Sequence, residues 1–490
     1  MKLSELLAGL ARVEVDPDVT GLALDSRKLA AGNVFLAVNG HREHALVYAG
    51  QVAAQGACAI VYDPAGQGRQ LAAKIRNIPV IGVAGLAEKL GFIAARYYGD
   101  PSRTIPVIGI TGTNGKTSCS QFLAQALGNC GLIGTLGWGD WGNLNETANT
   151  TPDAVSLQAI VAGMAAQGKQ AVAMEVSSHS LVQGRVNGLQ FKGAVFTNLS
   201  RDHLDYHETM HDYLDAKCRL FQMPGLAFAV VNLDNEYSDG ILSVIAQTVA
   251  VWGVTTSGKD LGGKGRLLAA DAIQHNPDGI SFAVSLDGGE SRSLSLPVYG
   301  DFNIENVLLV LSVLLATGIA LAEAVQRLQA ISPVVGRMQR IVNDKDLLIF
   351  VDYAHSPDAL EKVLLSARKH CRRELWAVFG CGGNRDAGKR SQMGAVAEQL
   401  ADRIVITDDN PRYENAEIIA GAILSGCRSK KAQIIHNRGV AIQQAIQAAK
   451  PGDCLVIAGK GHEQYQEING EKLPFSDVAA VQQALTMEAA

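Results

Sequence analysis

The sequence has no closely spaced cysteine pair, no basic excess and no long apolar run, and each absence excludes a class of protein. The eight cysteines are scattered, at Cys58, Cys119, Cys130, Cys218, Cys371, Cys381, Cys427 and Cys454. This distribution favours reduced structural thiols in a cytoplasmic protein over a disulfide framework or a zinc site. The net charge of -5 argues against a general nucleic-acid binder, which normally carries a basic face.

No stretch of about 18 apolar residues is available to cross a membrane. The start, "MKLSELLAGLARVEVD", is amphipathic, and Ser4, Glu5 and Arg12 interrupt its apolar run, so we predict no signal peptide. The chain also lacks internal repeats and low-complexity segments. Its 490 residues, 47% of them hydrophobic, suffice for about three globular domains with sizeable cores.

Apolar strand-like runs alternate with helical segments and divide the chain into three regions. Residues 1–100 show short strands and helices and close on the turn-rich "YYGDPSRTIP". Residues 101–334 contain buried-strand candidates such as "QAVAMEV", "GAVFTNL" and "AFAVVNL", and the Gly-rich stretch 253–289 predicts a β-rich excursion. Residues 335–490 repeat the alternation, with polar tips "DYAH", "GCGGNRD", "DDNPR" and "GKGHE" after strands. The pattern predicts an α/β protein: a small α/β amino-terminal domain, a mostly parallel central sheet and a Rossmann-like carboxy-terminal domain.

The stretch "VIGITGTNGKTS" is similar to a phosphate-binding loop, although Ile110 stands where the usual pattern has glycine. An apolar β-branched run precedes it and a helical pattern follows. Gly112 and Gly115 allow backbone N–H groups to point at phosphates. Lys116 would supply charge to the outer phosphates, and Thr117 a hydroxyl to Mg²⁺. We therefore predict a nucleotide-binding P-loop of a variant kind in the central region, with a chance glycine turn as the simpler alternative.

Two further central segments carry polar groups. Glu175 ends an apolar strand, where a carboxylate beside a phosphate loop can hold Mg²⁺ or be an ordinary strand-terminal acid. His203, His207 and His211 recur every four residues, as zinc ligands on one helix face would. A polar helix or turn face is the better interpretation, because no cysteine or carboxylate motif completes a tetrahedral site. Lys217, taken alone, reads as a surface lysine.

Together, these segments resemble the Mur ligase family. The resemblance rests on "TGTNGKT", "TTPD", "EVSSHSLVQGRV", "TNLSRDHLDYH", "YLDAKCRLF", "GDFNIEN", "GRMQ", "VDYAHSPDAL", "GCGGNRDAGKR", "DDNPR" and "GKGHE". It runs from "DSRKLAAGNVFLAVNG" to "FSD" and so covers essentially the whole chain. It implies that residues 1–100 bind a uridine nucleotide substrate, residues 101–334 bind ATP and residues 335–490 bind an amino acid.

The resemblance implies an ATP-dependent, amide-forming ligase of cytoplasmic peptidoglycan precursor synthesis, and hence of cell-wall biogenesis, cell shape and division. Such an enzyme phosphorylates the D-glutamate side-chain carboxylate of UDP-N-acetylmuramoyl-L-alanyl-D-glutamate, and meso-2,6-diaminopimelate attacks the acyl phosphate. Phosphoryl transfer is mostly positioning and charge neutralisation, which suits a lysine, a glycine loop and metal-binding carboxylates. The alternatives are a folylpolyglutamate-synthase-like ligase and a nucleotide-switch NTPase. A monomer with small-molecule substrates and no nucleic-acid partner is expected.

For individual residues, the resemblance implies four groups. The ATP group is Gly112, Thr113, Asn114, Gly115, Lys116, Thr117, Asn303, Arg337, Asp352 and His355. The uridine-substrate group is Ser26, His41, Arg42, Glu43, Asn114, Thr150, Thr151, Ser177, Gln183 and Arg185. The diaminopimelate group is Arg385, Asp409, Asn410, Pro411, Arg412, Gly459 and Glu463. The Mg²⁺ group is Thr117, Glu175, His203 and Lys217, the last as a CO₂-derived carbamate that supplies oxygen. The expected catalytic residues are Lys116, His203 and Lys217.

The choice of amino acid follows from "TDDNPRYE" and "GGNRD". Diaminopimelate resembles lysine with an extra carboxylate on its far carbon, so selecting it requires a cation. Pro411 fixes its own φ and so helps to orient the loop, and the planar fork of Arg412 can clamp a carboxylate together with Arg385. Asn410 and Glu463 would receive the neighbouring ammonium. We predict a strong preference for meso-diaminopimelate over L-lysine, with a solvated Arg412 in a strand-end turn as the simpler alternative.

Overall fold

Three sheets and a hairpin organise the chain in the computed structural model, which describes residues 1–40, 43–276, 278–428 and 432–486. The strands are β1 (Gly21–Ala23), β2 (Asn33–Ala37), β3 (Ala59–Tyr62), β4 (Val80–Gly82), β5 (Val107–Thr111), β6 (Cys130–Gly134), β7 (Gly137–Asp140), β8 (Asn143–Asn145), β9 (Ala171–Glu175), β10 (Phe191–Phe196), β11 (Phe228–Asn232), β12 (Ala250–Thr255), β13 (Arg266–Asn276), β14 (Gly279–Leu286), β15 (Ser291–Leu296), β16 (Gln339–Ile341), β17 (Leu348–Asp352), β18 (Leu375–Phe379), β19 (Arg403–Ile406), β20 (Ala432–Ile434), β21 (Cys454–Ala458), β22 (Tyr465–Ile468) and β23 (Glu471–Pro474).

Helices separate most of these strands, which confirms the predicted α/β class. They are α1 (Leu3–Leu6), α2 (Ala49–Ala54), α3 (Gly68–Ala72), α4 (Leu86–Tyr97), α5 (Lys116–Leu127), α6 (Ala154–Ala166), α7 (Ser178–Val182), α8 (Leu204–His207), α9 (Met210–Phe221), α10 (Ser238–Val244), α11 (Asp301–Ala316), α12 (Leu321–Gln329), α13 (Pro357–His370), α14 (Gly388–Leu400), α15 (Ala416–Leu424), α16 (Arg438–Ala448) and α17 (Asp477–Thr486). Within the described ranges, no helix is both long and apolar enough to span a membrane.

The amino-terminal region is built on a small parallel sheet in the order β1-β2-β3-β4. Val34 and Val61 on this sheet pack with Leu86 and Ile93 of α4 in one buried cluster. The helix α4 is amphipathic: its apolar face covers this side of the sheet, and its polar face points to solvent. The region is the small α/β unit that the sequence predicts.

The central sheet has eleven strands in the order β15-β14-β13-β12-β11-β10-β5-β9-β6-β7-β8. Its strands from β13 to β6 pair in parallel, and antiparallel strands extend it at both ends. All five residues of β5 are buried, as expected for an apolar strand covered on both faces. The strands β13 to β15 confirm the β-rich excursion. The helix α11 is apolar on nearly every side because it lies buried against α5 and the sheet.

The strand register brings the predicted catalytic loops to one edge of this sheet. The strands β9 and β10 flank β5, with Glu175 opposite Ile110 and Phe196 opposite Thr111. Parallel strands present their carboxyl ends together, and ligands of such sheets bind at that edge. The phosphate loop, Glu175 and the residues after β10 therefore emerge side by side.

The carboxy-terminal sheet has the order β16-β17-β21-β18-β19-β20, with only β16 antiparallel among its described strands. The neighbouring strands β17, β21, β18 and β19 end in the four polar tips singled out in the sequence, so these tips share an edge. The β22–β23 hairpin, which the sequence did not predict, follows the last of them.

Candidate active site

The phosphate loop joins β5 to α5, and its backbone carbonyls surround the Lys116 ammonium. Gly112 and Gly115 have φ of 154° and 85°, conformations that favour glycine. Lys116 Nζ donates hydrogen bonds to the carbonyl oxygens of Gly112 (2.8 Å) and Thr113 (2.9 Å). Burial lowers the pKa of Lys116, and the Glu175 carboxylate opposes this shift. The loop therefore places a partly buried cation at the amino terminus of α5, where backbone N–H groups also favour an anion.

Glu175 is a buried, fully hydrogen-bonded carboxylate. Its Oε2 accepts from the hydroxyls of Thr117 (3.1 Å) and Thr135 (3.0 Å), and its Oε1 accepts from the backbone N–H of Thr135 (2.9 Å). Thr135 was missed in the sequence, although it directly follows the apolar strand β6. The oxygens gathered here are the ligand type that Mg²⁺ prefers, so the residues fit the predicted metal.

Lys217 is buried in α9 and is not the surface lysine that its local sequence suggests. Its Nζ lies 4.4 Å from the centre of the Tyr213 ring, and no hydrogen-bond or ion-pair partner is found for it within the described residues. Burial, with a contribution from Lys116, holds the pKa of Lys217 well below its ordinary value. A neutral amine is the form that reacts with CO₂, so this environment fits the predicted carbamate.

The three histidines do not form a zinc face, in agreement with the preferred interpretation of the sequence. His203 precedes α8 with φ of 55°, His207 ends α8, and His211 lies on α9 with an 81% exposed side chain. Burial lowers the pKa of His203 to about 4, which leaves a neutral imidazole near the ring of His179, 5.0 Å away. Across the described ranges, no cluster of three or more His, Cys, Asp or Glu side chains could hold a metal by itself. Mg²⁺ is commonly held by one or two protein ligands together with substrate phosphates and water, so the predicted Mg²⁺ group does not require such a cluster.

A cavity of about 340 Å³ lies between the phosphate loop and the carboxy-terminal region. This volume is typical of small-molecule sites. Five residues of the predicted ATP group line it: Asn114, Gly115, Arg337, Asp352 and His355. Its other lining residues include Ser118, Asn198, Asp301, Phe302, Glu305, Asn306, Tyr353, Lys362 and Val363. The cavity thus joins polar groups at the phosphate loop to a wall of mixed polar and apolar residues on α11 and α13.

Arg337 reaches across this cavity towards the phosphate loop. Its Nη2 donates to the Thr117 hydroxyl (3.2 Å), and its guanidinium lies 4.6 Å from the centre of the Tyr353 ring. Its Nε is buried and has no hydrogen-bond partner in the described part of the chain. An unpartnered buried donor is rare, and an anionic ligand in the cavity would satisfy it.

The structure places Asn306 on the cavity wall, where the sequence predicted Asn303. Asn303 is not among the cavity-lining residues; its Nδ2 donates to the carbonyl of Tyr299 (2.7 Å) and its Oδ1 accepts from Asn306 (3.0 Å). Asn306 lines the cavity instead. Asn306 lies three residues after Asn303 on the same face of α11. This i, i+3 spacing within "GDFNIEN" was the sequence signal that could have identified Asn306 as a second candidate.

Five residues of the predicted uridine-substrate group lie together next to Glu175. The Thr151 hydroxyl donates to the backbone carbonyl of Glu175 (2.9 Å) and lies 3.4 Å from the Ser177 hydroxyl. Arg185 donates to the Thr151 carbonyl (3.0 Å) and to the Gln183 side chain (2.8 Å). Thr150 joins them through Thr135, with 3.1 Å between the two hydroxyl oxygens. The group therefore borders the predicted metal site.

Of the remaining members, Asn114 lies in the phosphate loop, and the other four belong to the amino-terminal region. The Ser26 hydroxyl lies 3.5 Å from Gln51, and the Tyr48 hydroxyl donates to Glu43 (2.5 Å). Among the described residues, no hydrogen bond joins Ser26 or Glu43 to the cluster around Thr151. His41 and Arg42 lie outside the described residues.

The carboxyl ends of β19 and β21 bring together most of the predicted diaminopimelate group around Lys460. The Lys460 ammonium is fully buried and donates to Asn410 Oδ1 and Glu463 Oε2, both at 2.9 Å. It also lies 3.5 Å from Asp409 Oδ1, and Asn410 Nδ2 donates to Glu463 Oε2 (2.9 Å). Lys460 was missed, although it lies inside "GKGHE". Lys460 orients Asn410 and Glu463, two residues that are predicted to bind diaminopimelate.

Arg412 and Arg385 border the same glycine, Gly382. A Cβ at Gly382 would lie 2.9 Å from Arg412 Nη1 and 3.8 Å from Arg385 Cγ. Arg412 Nε donates to Glu467 Oε2 (3.1 Å) and its Nη1 to the carbonyl of Gly383 (2.9 Å). Arg385 is exposed and has no hydrogen-bond or ion-pair partner among the residues described. Both arginine side chains therefore lie beside Gly382, and their joint contact with a carboxylate stays a prediction.

Two family models match the chain: the Mur ligase middle domain over residues 110–314 and the Mur ligase, glutamate ligase domain over residues 336–461. The UDP-N-acetylmuramoyl-L-alanyl-D-glutamate–2,6-diaminopimelate ligase of Alkalilimnicola ehrlichii is 44% identical over 482 residues, which are 96% of each chain. A solved structure of an enzyme with the same name is 33% identical, covers 99% of this chain and 98% of its own, and has a TM-score of 0.68. Folylpolyglutamate synthase of Mycobacterium tuberculosis, 18% identical over 82% of this chain and 96% of its own with a TM-score of 0.64, shares the fold.

Proposed function

Because the chain belongs to the Mur ligase family, we propose that it is an ATP-dependent ligase of peptidoglycan precursor synthesis. It adds meso-2,6-diaminopimelate to the D-glutamate side-chain carboxylate of UDP-N-acetylmuramoyl-L-alanyl-D-glutamate. The observation that carries this proposal is the 44% identity, over 96% of both chains, to a ligase of that name. The likeness to folylpolyglutamate synthase concerns the fold alone, so that alternative is disfavoured.

In the first step, the substrate carboxylate takes the terminal phosphoryl group of ATP, and an acyl phosphate and ADP form. Lys116 and the N–H groups at the start of α5 lie where they can stabilise charge on the transferred group. Arg337 offers its unpartnered Nε from the opposite wall. Phosphoryl transfer gains most from such preorganised charge, so no side-chain nucleophile is required.

Mg²⁺, when bound, supplies positive charge to the phosphate oxygens. Its proposed ligands are Thr117, Glu175, His203 and Lys217 as a carbamate. Thr117 and Glu175 are already within hydrogen-bond distance of each other, at 3.1 Å. His203 is neutral at physiological pH because burial lowers its pKa to about 4, so its imidazole is in the form that binds metals.

In the second step, the amine of the amino acid attacks the acyl carbon, loses a proton and displaces inorganic phosphate. We propose that Arg385 and Arg412 bind the far carboxylate of diaminopimelate and that Asn410 and Glu463 bind its ammonium. Lysine has no such carboxylate, so Arg385 would face no anion and Arg412 would keep only its contact with Glu467. The site should therefore discriminate against it strongly, by about 10⁴-fold in a favourable case.

We also propose that residues 1–100, 101–334 and 335–490 are the uridine-substrate, ATP and amino-acid domains. The three sheets span residues 21–82, 107–296 and 339–458, which agrees with these limits. The protein is proposed to act as a monomer in the cytoplasm, where its nucleotide substrates are made.

The experiment that tests this function is phosphate release from ATP by the purified protein. We expect release only when the UDP-sugar dipeptide and meso-diaminopimelate are both present, and little with L-lysine in its place. ATP turnover without either substrate would support a nucleotide-switch NTPase. Turnover with a folylglutamate and L-glutamate would support the folylpolyglutamate-synthase alternative.

A further inference from the structure

Arg412 has a backbone conformation that residues other than glycine rarely adopt. Its φ is 54°, in the left-handed region. Such strain persists only where neighbouring structure holds it, and it is concentrated at functional sites. The residue before it, Pro411, restricts its own φ and not that of Arg412. Something other than Pro411 must therefore hold Arg412 in place.

The β22–β23 hairpin provides that restraint through the main chain. The Arg412 N–H donates to the Glu467 carbonyl (3.0 Å), and the Asn469 N–H donates to the Arg412 carbonyl (2.7 Å). Arg412 and Ile468 also form an isolated parallel β-bridge. The Glu467 N–H donates to Asn410 Oδ1 (2.9 Å), so the hairpin binds the whole loop after β19.

The side chain of Glu467 also orients the guanidinium of Arg412. Glu467 Oε2 accepts from Arg412 Nε (3.1 Å), and the Gly383 carbonyl accepts from Arg412 Nη1 (2.9 Å). No partner of Arg412 Nη2 is found within the described residues. Both side chains are 22% exposed, so a ligand can reach the guanidinium. The edge formed by Nη1 and Nη2 keeps free protons for a carboxylate.

We propose that Glu467 is a positioning residue that, with the β22–β23 hairpin, holds Arg412 ready for the far carboxylate of the incoming amino acid. This inference rests on the proposed function. Glu467 also balances the charge of Arg412, so the guanidinium can stay ordered and partly buried before substrate arrives. A preformed fork loses less freedom on binding than a mobile one.

The test is a set of variants assayed for ligation. Glu467→Ala should raise KM for meso-diaminopimelate by about ten-fold, because a hydrogen bond to a charged group is lost. The kcat and the KM for ATP should stay unchanged. Glu467→Gln keeps an acceptor oxygen and should restore most of the loss. Glu471→Ala, at an exposed position of the same hairpin, is the control and should behave as wild type.

A double-mutant cycle shows whether Glu467 acts through Arg412. In an Arg412→Ala background, Glu467→Ala should add little further loss, since the residue it positions is already gone. Multiplicative losses in the double variant would overturn the proposal. So would an unchanged KM for diaminopimelate in Glu467→Ala, or an equal rise in the KM for ATP.

A second readout needs no turnover and separates this inference from the proposed function. If wild type fails to ligate diaminopimelate, the proposed function is wrong, and crystal structures of the variants decide the inference. We expect Arg412 to leave its position in Glu467→Ala and to keep it in Glu467→Gln. An unmoved Arg412 in a correctly folded Glu467→Ala would refute the positioning role.

Discussion

At the scale of single residues, the candidate site depends on charged groups placed in unusual surroundings. Lys217 is the clearest case, because it is buried beside Lys116 and has no acidic partner among the described residues. Burying an unpaired ammonium is costly, and the group reduces the cost by losing its proton. The proposed carbamate would form on this neutral amine and would return a negative charge and two oxygens to the site.

Lys217→Ala should therefore abolish most of the activity, because one proposed Mg²⁺ ligand is lost. A short carboxylic acid in the buffer should restore part of it by supplying the missing oxygens. The measurement is phosphate release with and without acetate. Lys192→Ala, at an exposed position on β10, is the control and should keep full activity with no response to acetate. Normal activity of Lys217→Ala without acetate would exclude the role.

A second prediction at this scale concerns pH. Burial lowers the pKa of His462 to about 4, with contributions from Arg337 and Lys460, whereas an unfolded histidine titrates near 6.5. Between these values the unfolded chain binds more protons, so stability should fall as pH falls through that window. His462→Gln should make the urea midpoint less sensitive to acid over this range. His211→Gln, at an exposed site, should keep the wild-type slope; an identical slope for both variants would contradict the assignment.

At the scale of secondary-structure elements, helix starts supply much of the site. The helix α5 begins at the phosphate loop, the first residues of α11 line the cavity, and α6 begins directly after the Thr150–Thr151 pair. Asp153 caps α6: its Oδ1 accepts from the backbone N–H groups of Val155 (3.0 Å) and Ser156 (2.9 Å). The cap, two residues after Thr151, therefore fixes the start of α6.

Asp153→Ala should lower the free energy of unfolding by about 1 kcal/mol, the usual effect of losing such a cap. It should also raise KM for the UDP-sugar dipeptide, since a loosened start of α6 gives the adjacent Thr150–Thr151 segment less support. Urea unfolding and steady-state kinetics are the measurements. Asp239→Ala removes an exposed acid from the first turn of α10 and is the matched control. Equal effects of the two substitutions would show that the cap has no special role.

At the scale of the whole molecule, the site depends on contact between the central and carboxy-terminal regions. Asp358 on α13 accepts hydrogen bonds from the side chains of Asn114 (3.0 Å) and Ser200 (2.9 Å). The connection between the regions passes through "SPVVGRMQR", where Gly336 and Met338 have φ of 67° and 42°. We predict that this stretch is the hinge about which the two regions close, because closure would shield an acyl phosphate from water.

We predict that the carboxy-terminal region moves as a unit and that the molecule becomes more compact when all substrates are bound. Small-angle scattering should show a smaller radius of gyration with a non-hydrolysable ATP analogue, the UDP-sugar dipeptide and diaminopimelate together. The nucleotide analogue alone is the control and should produce a smaller change. The same radius with and without the full set would contradict closure about this hinge.

The sequence by itself determined the elements and the local chemistry. Strands such as β5, β9 and β21 were predictable because apolar, β-branched runs suit a sheet covered on both faces. The start of α5 was predictable because glycines and a lysine must precede a phosphate-binding helix. Polar tips after strands could be assigned to one edge because parallel strands end together. All these signals lie within a few consecutive residues.

Only the tertiary structure decided which distant groups meet. Three features depend on segments far apart in the chain: Lys217 is buried, Thr135 pairs with Glu175, and Glu467 contacts Arg412. Burial and pKa depend on what packs around a side chain, and local sequence does not specify that. The restraint of Arg412 by the hairpin was likewise not predictable from local sequence. It depends on a backbone hydrogen bond to Glu467, more than fifty residues further along the chain.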